Sequence, residues 1–356
     1  MGKLAILLGM LLAIALIICT GACGDEEGTQ LPAGDVTPTK SIEPVTLKLA
    51  TSIPNDHPAG QAYNRFSDLV HEYTDGRVQV DVYPGSQLFP ATEEWEAVVT
   101  GAIDIFADAS YWISPYVPDV MVFYLDGLWE SYEQAYAALE DSDLPQIIAQ
   151  KAEEAAPVKM LGLFPSGLVL CVVNTVVEAE ELKDLTGLRC QGSPGAPTAA
   201  IYDYTGMASI PIALEEATTA LMQGVVDAVL YPPGIIRDLG MHEIGKHALC
   251  RNAMFPTHAL IINQDTWDNL PADIQDIIMN VVVPEIYDFF KMTWRGDEEA
   301  ALEEIERNVE TMHWVTEADN DAYIDYVKTH SIYKMQMLMI DPRIPEVVEG
   351  LRPGAQ

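Results

Sequence analysis

Positive charge is the scarcest feature of this sequence. Of its 356 residues only 19 are Lys or Arg, against 54 Asp or Glu, which gives a formal net charge of −35. A nucleic-acid partner is excluded, because a polyanion needs a basic face and no run of basic residues supplies one. The acidic surface repels other anions, so an anionic ligand has to find a locally positive site.

Disorder is excluded as the general state of the chain, despite this charge. Hydrophobic residues make up 49% of the sequence, which is enough to bury a substantial core. The length corresponds to about two domains.

The sequence has none of the short motifs that mark common catalytic sites. It contains no G-x-S-x-G, no G-x-G-x-x-G and no phosphate-binding loop. His242 and His247 are five residues apart rather than the four that share a helix face, so they indicate an exposed loop and not a metal site. The acidic pair Glu298-Glu299 predicts a solvated helix face. We therefore expect no catalytic residue, no metal and no cofactor.

Cysteine is rare beyond the first 23 residues. Cys171, Cys190 and Cys250 form no C-x-x-C pair and lie in apolar surroundings. The sequence indicates that they are buried as small hydrophobic side chains. One disulfide among them is the alternative in an exported chain.

The apolar run near the N-terminus is too short for a membrane span. Residues 4–18 form a run of 15 after Lys3, whereas a span needs about 20, and the run is typical of a signal-peptide core. Segment 20–23 (TGAC) follows it. This segment resembles the lipobox of bacterial lipoproteins, apart from Thr20, where an aliphatic residue is usual.

The lipobox resemblance implies that residues 1–22 are a signal peptide and that Cys23 is lipidated as the new N-terminus. The alternative is an uncleaved anchor helix. Residues 23–44 are acidic and rich in Gly and Pro, which predicts a flexible tether. The protein is then extracytoplasmic, in the periplasm or on the outer face of the cell membrane, and lipid-anchored through Cys23.

From Val45 onward, short apolar strands alternate with helices. Segment 78–83 (VQVDVY) alternates strictly, as a strand with one buried face does. This order predicts an α/β fold with mostly parallel sheets. A long helical stretch follows Pro271, and Pro284 should kink or break it. The predicted strands are 45–50, 78–83, 103–107, 158–163, 168–173, 227–231 and 258–263.

Five weak motifs follow one another along the chain at wide separations. They are YPGSQL at 83–88, GAIDI at 101–105, DLTGLR at 184–189, ALMQGVVDA at 220–228 and LPADIQ at 270–275. In this order they resemble the substrate-binding proteins of tripartite ATP-independent periplasmic (TRAP) transporters, the DctP family. The resemblance covers about residues 45–340.

The resemblance implies a two-lobed fold of the periplasmic-binding-protein type, with hinge strands and a long helix spanning both lobes. Residues 45–166 and 259–290 would form lobe I, residues 167–258 lobe II, and residues 291–356 more of lobe II with the C-terminal helices. It implies that a small organic acid is captured by lobe closure and delivered to the membrane subunits of a TRAP carrier, with nothing catalysed. The alternative is a ligand sensor or an extracytoplasmic enzyme that reuses the fold.

The family's arginine that clamps the ligand carboxylate has two candidate positions here. The family segment reads D-L-K-G-L-K-I-R, and an ungapped comparison from Asp184 puts Gln191 at the final Arg, whereas a one-residue deletion puts Arg189 there. We favour Arg189, the only Arg between Arg77 and Arg237, because a guanidinium matches a carboxylate bidentately. In the alternative, Arg189 is a surface residue and Gln191 hydrogen-bonds a less charged ligand.

Strand-end residues favour a monocarboxylate with an apolar or aromatic body over a C4-dicarboxylate. Ser166 and Leu168 lie in a crossing segment where the family often has charged groups, and Tyr231 stands at a family Asn. Aromatic residues there would offer large apolar contact with a polar edge, although they are equally compatible with a core between the lobes. The further positions are Ser110, Tyr111, Trp112 and Phe255.

Three more ligand-binding candidates come from position along the chain. Ser52 and His57 follow the first strand, where the first βα loop often contacts ligand. Glu93 lies in the helix after SQL, where the family often has an acidic residue. His258 is expected in the core.

Overall fold

The computed structural model describes residues 44–129, 131–192 and 199–351. The predicted signal peptide, Cys23 and all of the predicted tether but its last residue lie outside these ranges. Within them, no helix has both the length and the apolar character needed to cross a bilayer.

The alternation of strands and helices predicted from the sequence is present. The strands in the described residues are β1 Val45–Ala50, β2 Val78–Tyr83, β3 Ile105–Ala109, β4 Val158–Pro165, β5 Val169–Asn174, β6 Arg189–Gln191, β7 Ala208–Ile210, β8 Ala228–Tyr231, β9 His247–Asn252, β10 Thr257–Asn263 and β11 Thr311–Trp314. The α-helices are α1 Pro58–Tyr73, α2 Ala91–Val99, α3 Tyr132–Glu140, α4 Leu144–Ala155, α5 Ala199–Thr205, α6 Leu214–Met222, α7 Pro233–Asp238, α8 Gln264–Asn269, α9 Ala272–Ile277, α10 Val283–Asn308, α11 Glu317–Thr329, α12 Ser331–Met339 and α13 Arg343–Gly350.

The strands form two sheets, one for each lobe. The first has the order β2-β1-β3-β10-β4 and the second the order β11-β9-β5-β8-β6-β7. β1 pairs in parallel with β2 and β3, because α1 and α2 carry the chain back along the sheet. β10 and β5 instead run antiparallel to both of their neighbours. The sheets are therefore less parallel than predicted, because these two strands enter their sheets from the other lobe.

The chain crosses directly from a strand of one sheet to a strand of the other twice, and a third time through α10, which leads from β10 to β11. It leaves the first sheet after Pro165 and enters the second at Val169, and it returns between Asn252 and Thr257. These crossings are the hinge strands of the two-lobed fold that the sequence predicted. They hold residues 166–168 and 253–256 between the lobes.

Helix α10 is the long helix that spans both lobes. It has 26 residues, or about 39 Å at 1.5 Å per residue. In its first half Phe290 stacks on Phe164 of β4, with ring centroids 5.1 Å apart. Near its end Ile305 is buried in the core of the second lobe. A π-helical turn at Ile278–Val282 separates it from α9, next to Pro284, where the sequence predicted an interruption.

Two of the three cysteines in the described residues form a disulfide. Cys171 of β5 is bonded to Cys250 of β9, so the alternative of one disulfide holds for this pair, and both residues are buried as the sequence indicated. The two residues are direct partners in the antiparallel register, a relation that arises only when these distant strands pair. Cys190 is free and buried.

Candidate functional site

A cavity of about 260 Å³ lies at the crossings between the lobes. Its walls come from the loop after β1, from both crossing segments, from the start of α7 and from α10. Clefts between lobes, beyond the ends of strands, are where α/β proteins place ligands. The lining side chains include Ile53, His57, Tyr124, Ser166, Leu168, Leu170, Ile235, Met254, His258, Trp294, Asp297 and Glu298.

Glu298 bonds α10 to the first crossing. Its Oε2 accepts the N–H groups of Leu168 at 3.0 Å and Val169 at 3.1 Å, and its Oε1 accepts the hydroxyl of Tyr132. Gly167 permits this approach, because a Cβ on it would lie 2.4 Å from Oε2 of Glu298. Burial raises the pKa of Glu298 above its usual value, although these hydrogen bonds oppose the shift.

An aromatic wall stands beside this carboxylate. Trp294, one turn before Glu298, has its ring centroid 5.1 Å from that of His57 and 5.3 Å from that of His258. His258 Nδ1 hydrogen-bonds the hydroxyl of Tyr63 at 2.7 Å. Burial lowers the pKa of His258 to about 3 and also lowers the pKa of His57. Both imidazoles are therefore uncharged near neutral pH.

Arg237 of α7 is bonded to two carboxylates of the cavity wall. Its Nη1 donates to Oδ1 of Asp297 at 2.9 Å, and its Nε donates to Oδ1 of Asp238 at 2.8 Å. In the part of the chain that the structure describes, no Lys or Arg side chain lines the cavity itself. Segment 193–198 between the described ranges contains neither residue type.

Three of the predicted ligand-binding residues line the cavity: His57, Ser166 and Leu168. His57 is there because it caps α1, its Nδ1 accepting the N–H of Ala59 at 3.3 Å. Ser166 Oγ donates to the carbonyl of Pro256 at 2.7 Å, which ties the two crossings together. His258, expected in the core, is 4% exposed and lines the cavity as well.

Ser52 and Ser110 lie next to lining residues but do not line the cavity. Ser52 donates to Oδ2 of Asp108 from its backbone N at 2.8 Å and from its Oγ at 2.5 Å. Ser110 Oγ hydrogen-bonds Oγ1 of Thr257 at 2.7 Å. Both hydroxyls are therefore used inside the first lobe, where they fix the wall behind the cavity.

Arg189 and Gln191 do not line this cavity. The Nε and Nη2 of Arg189 donate to the two carboxylate oxygens of Asp227 at 2.9 and 2.6 Å, on the surface of the second lobe. Arg189 is thus a surface residue in this structure, because Asp227 directly precedes the neighbouring strand β8 and binds the guanidinium. Gln191 is buried, and its Nε2 donates to the carbonyl of Ile212 at 2.7 Å.

The remaining predicted residues lie in the core or at the surface. Phe255 is fully buried and packs on Trp129. Tyr111 is 37% exposed, and its backbone N donates to the hydroxyl of Tyr124. The remaining three do not line the cavity either: Trp112 and Tyr231 are half-buried and Glu93 is exposed.

The sequence interpretation missed the acidic and aromatic face of α10. Glu298 was expected on a solvated face, but it is 5% exposed, because it lies four residues after Trp294 and eight after buried Phe290. Residues at this spacing share one face of a helix. This spacing in the sequence could have predicted that Glu298 is buried. The interpretation relied instead on the adjacent pair Glu298-Glu299, which is typical of an exposed helix face. Asp297, Arg237 and Tyr124 carried no comparable signal.

Two lobes, two crossings and a cavity between them define a solute-binding protein of the periplasmic type. The chain belongs to the family of bacterial extracellular solute-binding proteins, family 7 (DctP), whose family model matches residues 49–335. It is therefore a TRAP-type solute-binding protein and not an enzyme.

Proteins of similar sequence and proteins of similar structure both agree with this family membership. The chain is 30% identical over 234 residues to the C4-dicarboxylate-binding periplasmic protein DctP of Rhodobacter capsulatus, covering 65% of this chain and 69% of that protein. Among solved structures, a TRAP periplasmic solute binding protein from Ochrobactrum anthropi has a TM-score of 0.78 at 21% identity, covering 87% of this chain and 95% of that one. One from Sulfurospirillum deleyianum with bound succinate has a TM-score of 0.70 at 20% identity, covering 87% of this chain and 100% of that one. At these identities the solved structures support the fold.

Proposed function

We propose that the protein captures a small organic acid with an apolar or aromatic body and delivers it to the membrane subunits of a TRAP-type secondary transporter. The observation that carries the proposal is the cavity at the crossings, which has walls from both lobes and from α10. A ligand there stabilises the closed state through contacts that only the closed lobes make.

The lining of the cavity supports an apolar body for the ligand. Ile53, Leu168, Leu170 and Met254 are among the lining residues, and such walls bind apolar groups through buried contact area. The volume of about 260 Å³ lies near the lower end of the range for small-molecule sites, so it suits a small ligand. Two relatives are known by the organic acids that they bind, the C4-dicarboxylate-binding DctP protein and the protein with bound succinate.

The first test is a thermal-shift and calorimetry screen of organic acids. A ligand raises the melting temperature by an amount that grows with its concentration relative to Kd. Ile235→Trp fills the cavity from α7 and should abolish the shift. The matched control is Leu239→Trp, just after the same helix and 37% exposed, which should bind as the parent does. An equal shift in both variants would place the ligand elsewhere.

Delivery is tested with proteoliposomes that contain the cognate membrane subunits. Uptake of the labelled acid should require this protein and an ion gradient, and Ile235→Trp should not support it. Uptake that proceeds equally without the protein would contradict the proposed role.

The lipid anchor at Cys23 belongs to the same proposal and has its own test. The protein should fractionate with membranes and carry an acyl mass on Cys23, and Cys23→Ser should be found in the soluble fraction without that mass. An unmodified Cys23 in the mature protein would refute the anchor and leave solute capture untouched.

A further inference from the structure

One wall of the cavity carries several carboxylates. Asp238, Asp297 and Glu298 line it, and Arg237, bonded to the first two, is the compensating cation. Three carboxylates and one guanidinium leave a formal charge of −2. His57 is uncharged near neutral pH. A plain carboxylate would therefore enter a site that already repels it, and like charges interact strongly where water is excluded.

The same wall has the composition that binds a cation. Asp297 and Glu298 follow Trp294 by three and four residues on α10, so carboxylates and an indole ring are neighbours on one helix face. An ammonium group gains from the face of an indole and from charge-assisted hydrogen bonds to carboxylates. Trp294 is half-buried and lines the cavity, which places its ring at the ligand.

We infer that the acid bound in this cavity is a zwitterion, an amino acid with an apolar body, whose ammonium group lies between Trp294 and the carboxylates of Asp297 and Glu298. Such a ligand adds no net charge to the site. The inference rests on the proposed function, because it specifies the ligand of that same cavity.

The test compares three compounds with one carbon skeleton on the purified protein. Leucine has both charged groups, 4-methylpentanoate lacks the amine, and 3-methylbutylamine lacks the carboxylate. Phenylalanine, 3-phenylpropanoate and 2-phenylethylamine form a second series with an aromatic body. We expect the amino acid of at least one series to bind at least tenfold more tightly than its deaminated acid by calorimetry.

Variants on α10 test the ammonium position. Asp297→Asn should weaken binding of the amino acid at least tenfold and strengthen binding of the deaminated acid at least threefold, because it removes a carboxylate and releases Arg237. The matched control is Glu299→Gln, on the same helix but exposed and paired with Arg295 at 3.0 Å, which should change neither affinity by more than twofold. If Asp297→Asn fails to fold, Trp294→Leu provides the same test for the amino acid.

The outcomes separate the inference from the proposed function. Tight binding of the deaminated acids, equal to or above that of the amino acids, overturns the inference and upholds capture of an organic acid. If the amines bind as tightly as the amino acids, the result supports the ammonium subsite and contradicts the proposal that the ligand is an organic acid. If neither amino acid binds at 10 mM while an acid from the general screen does, the inference falls and the proposed function stands.

Discussion

Oε2 of Glu298 lies 3.0 Å from the backbone N of Leu168, so the long helix is bonded directly to a segment that crosses between the lobes. The same oxygen accepts the N–H of Val169. One carboxylate thus joins the ligand wall, the hinge and the helix that spans both lobes.

Glu298→Ala should destabilise the protein by about 3 kcal/mol, because it removes the acceptor of the buried N–H groups of Leu168 and Val169 and of the half-buried hydroxyl of Tyr132. Urea denaturation at neutral pH measures this change. Glu299→Ala, one residue along and exposed, should cost less than about 0.5 kcal/mol. Equal effects of the two substitutions would mean that the crossing does not depend on this carboxylate.

Glu94 should make the protein less stable as the pH rises. Among the described residues, neither of its buried carboxylate oxygens has a hydrogen-bond partner, and burial, assisted by nearby Asp108, raises its pKa from 4.5 to about 9. The unfolded chain releases this proton near pH 4.5 and the folded one near pH 9, so raising the pH between these values favours unfolding. The slope is about 1.4 kcal/mol per pH unit at most.

Glu94→Gln removes this titration and should stabilise the protein at pH 8 far more than at pH 5. Urea denaturation at several pH values gives the two curves to compare. The control is Glu93→Gln, because Glu93 is exposed on the same helix and its loss should leave the slope unchanged. Parallel curves for the parent and Glu94→Gln would show that Glu94 is ionised in the folded protein.

The Cys171–Cys250 bond should contribute about 4 kcal/mol to stability, because it closes a loop of 79 residues in the unfolded chain. Replacing both residues by Ala should lower the melting temperature, and dithiothreitol should lower that of the parent but not that of the double variant. Cys190→Ala, which leaves the bond intact, should keep the response to dithiothreitol. A parent that is reduced without losing stability would contradict this prediction.

Arg189→Ala should leave ligand affinity within twofold of the parent, because its guanidinium is held by Asp227 outside the cavity. Its ion pair with Asp227 is exposed, so the substitution should change the stability of the protein little. Calorimetry with an acid from the screen measures the affinity. A loss of tenfold or more would restore the clamp role that the family resemblance implies for Arg189.

The sequence predicted the α/β class, the two lobes and most strands, because hydrophobic periodicity and widely spaced motifs report local structure and family. His57 was a candidate because it follows the first strand, and Ser166 and Leu168 because they lie in the segment where the family resemblance places a crossing between the lobes. The sequence did not reveal Trp294, Asp297 and Glu298, because their contribution depends on how α10 is rotated against the crossing at 166–168. The partners of Cys171 and of Arg189 likewise depend on strand pairing between residues far apart in the chain.

The disulfide also restricts how the two lobes can move. Cys171 and Cys250 sit just inside the second lobe, close to where each connecting strand leaves it. The strands are fastened to each other there, so they cannot slide past one another or bend independently. Opening and shutting of the lobes would then require one joint flexion in residues 166–168 and 253–256, because the second lobe is attached to the first by a clasped pair of strands and by α10.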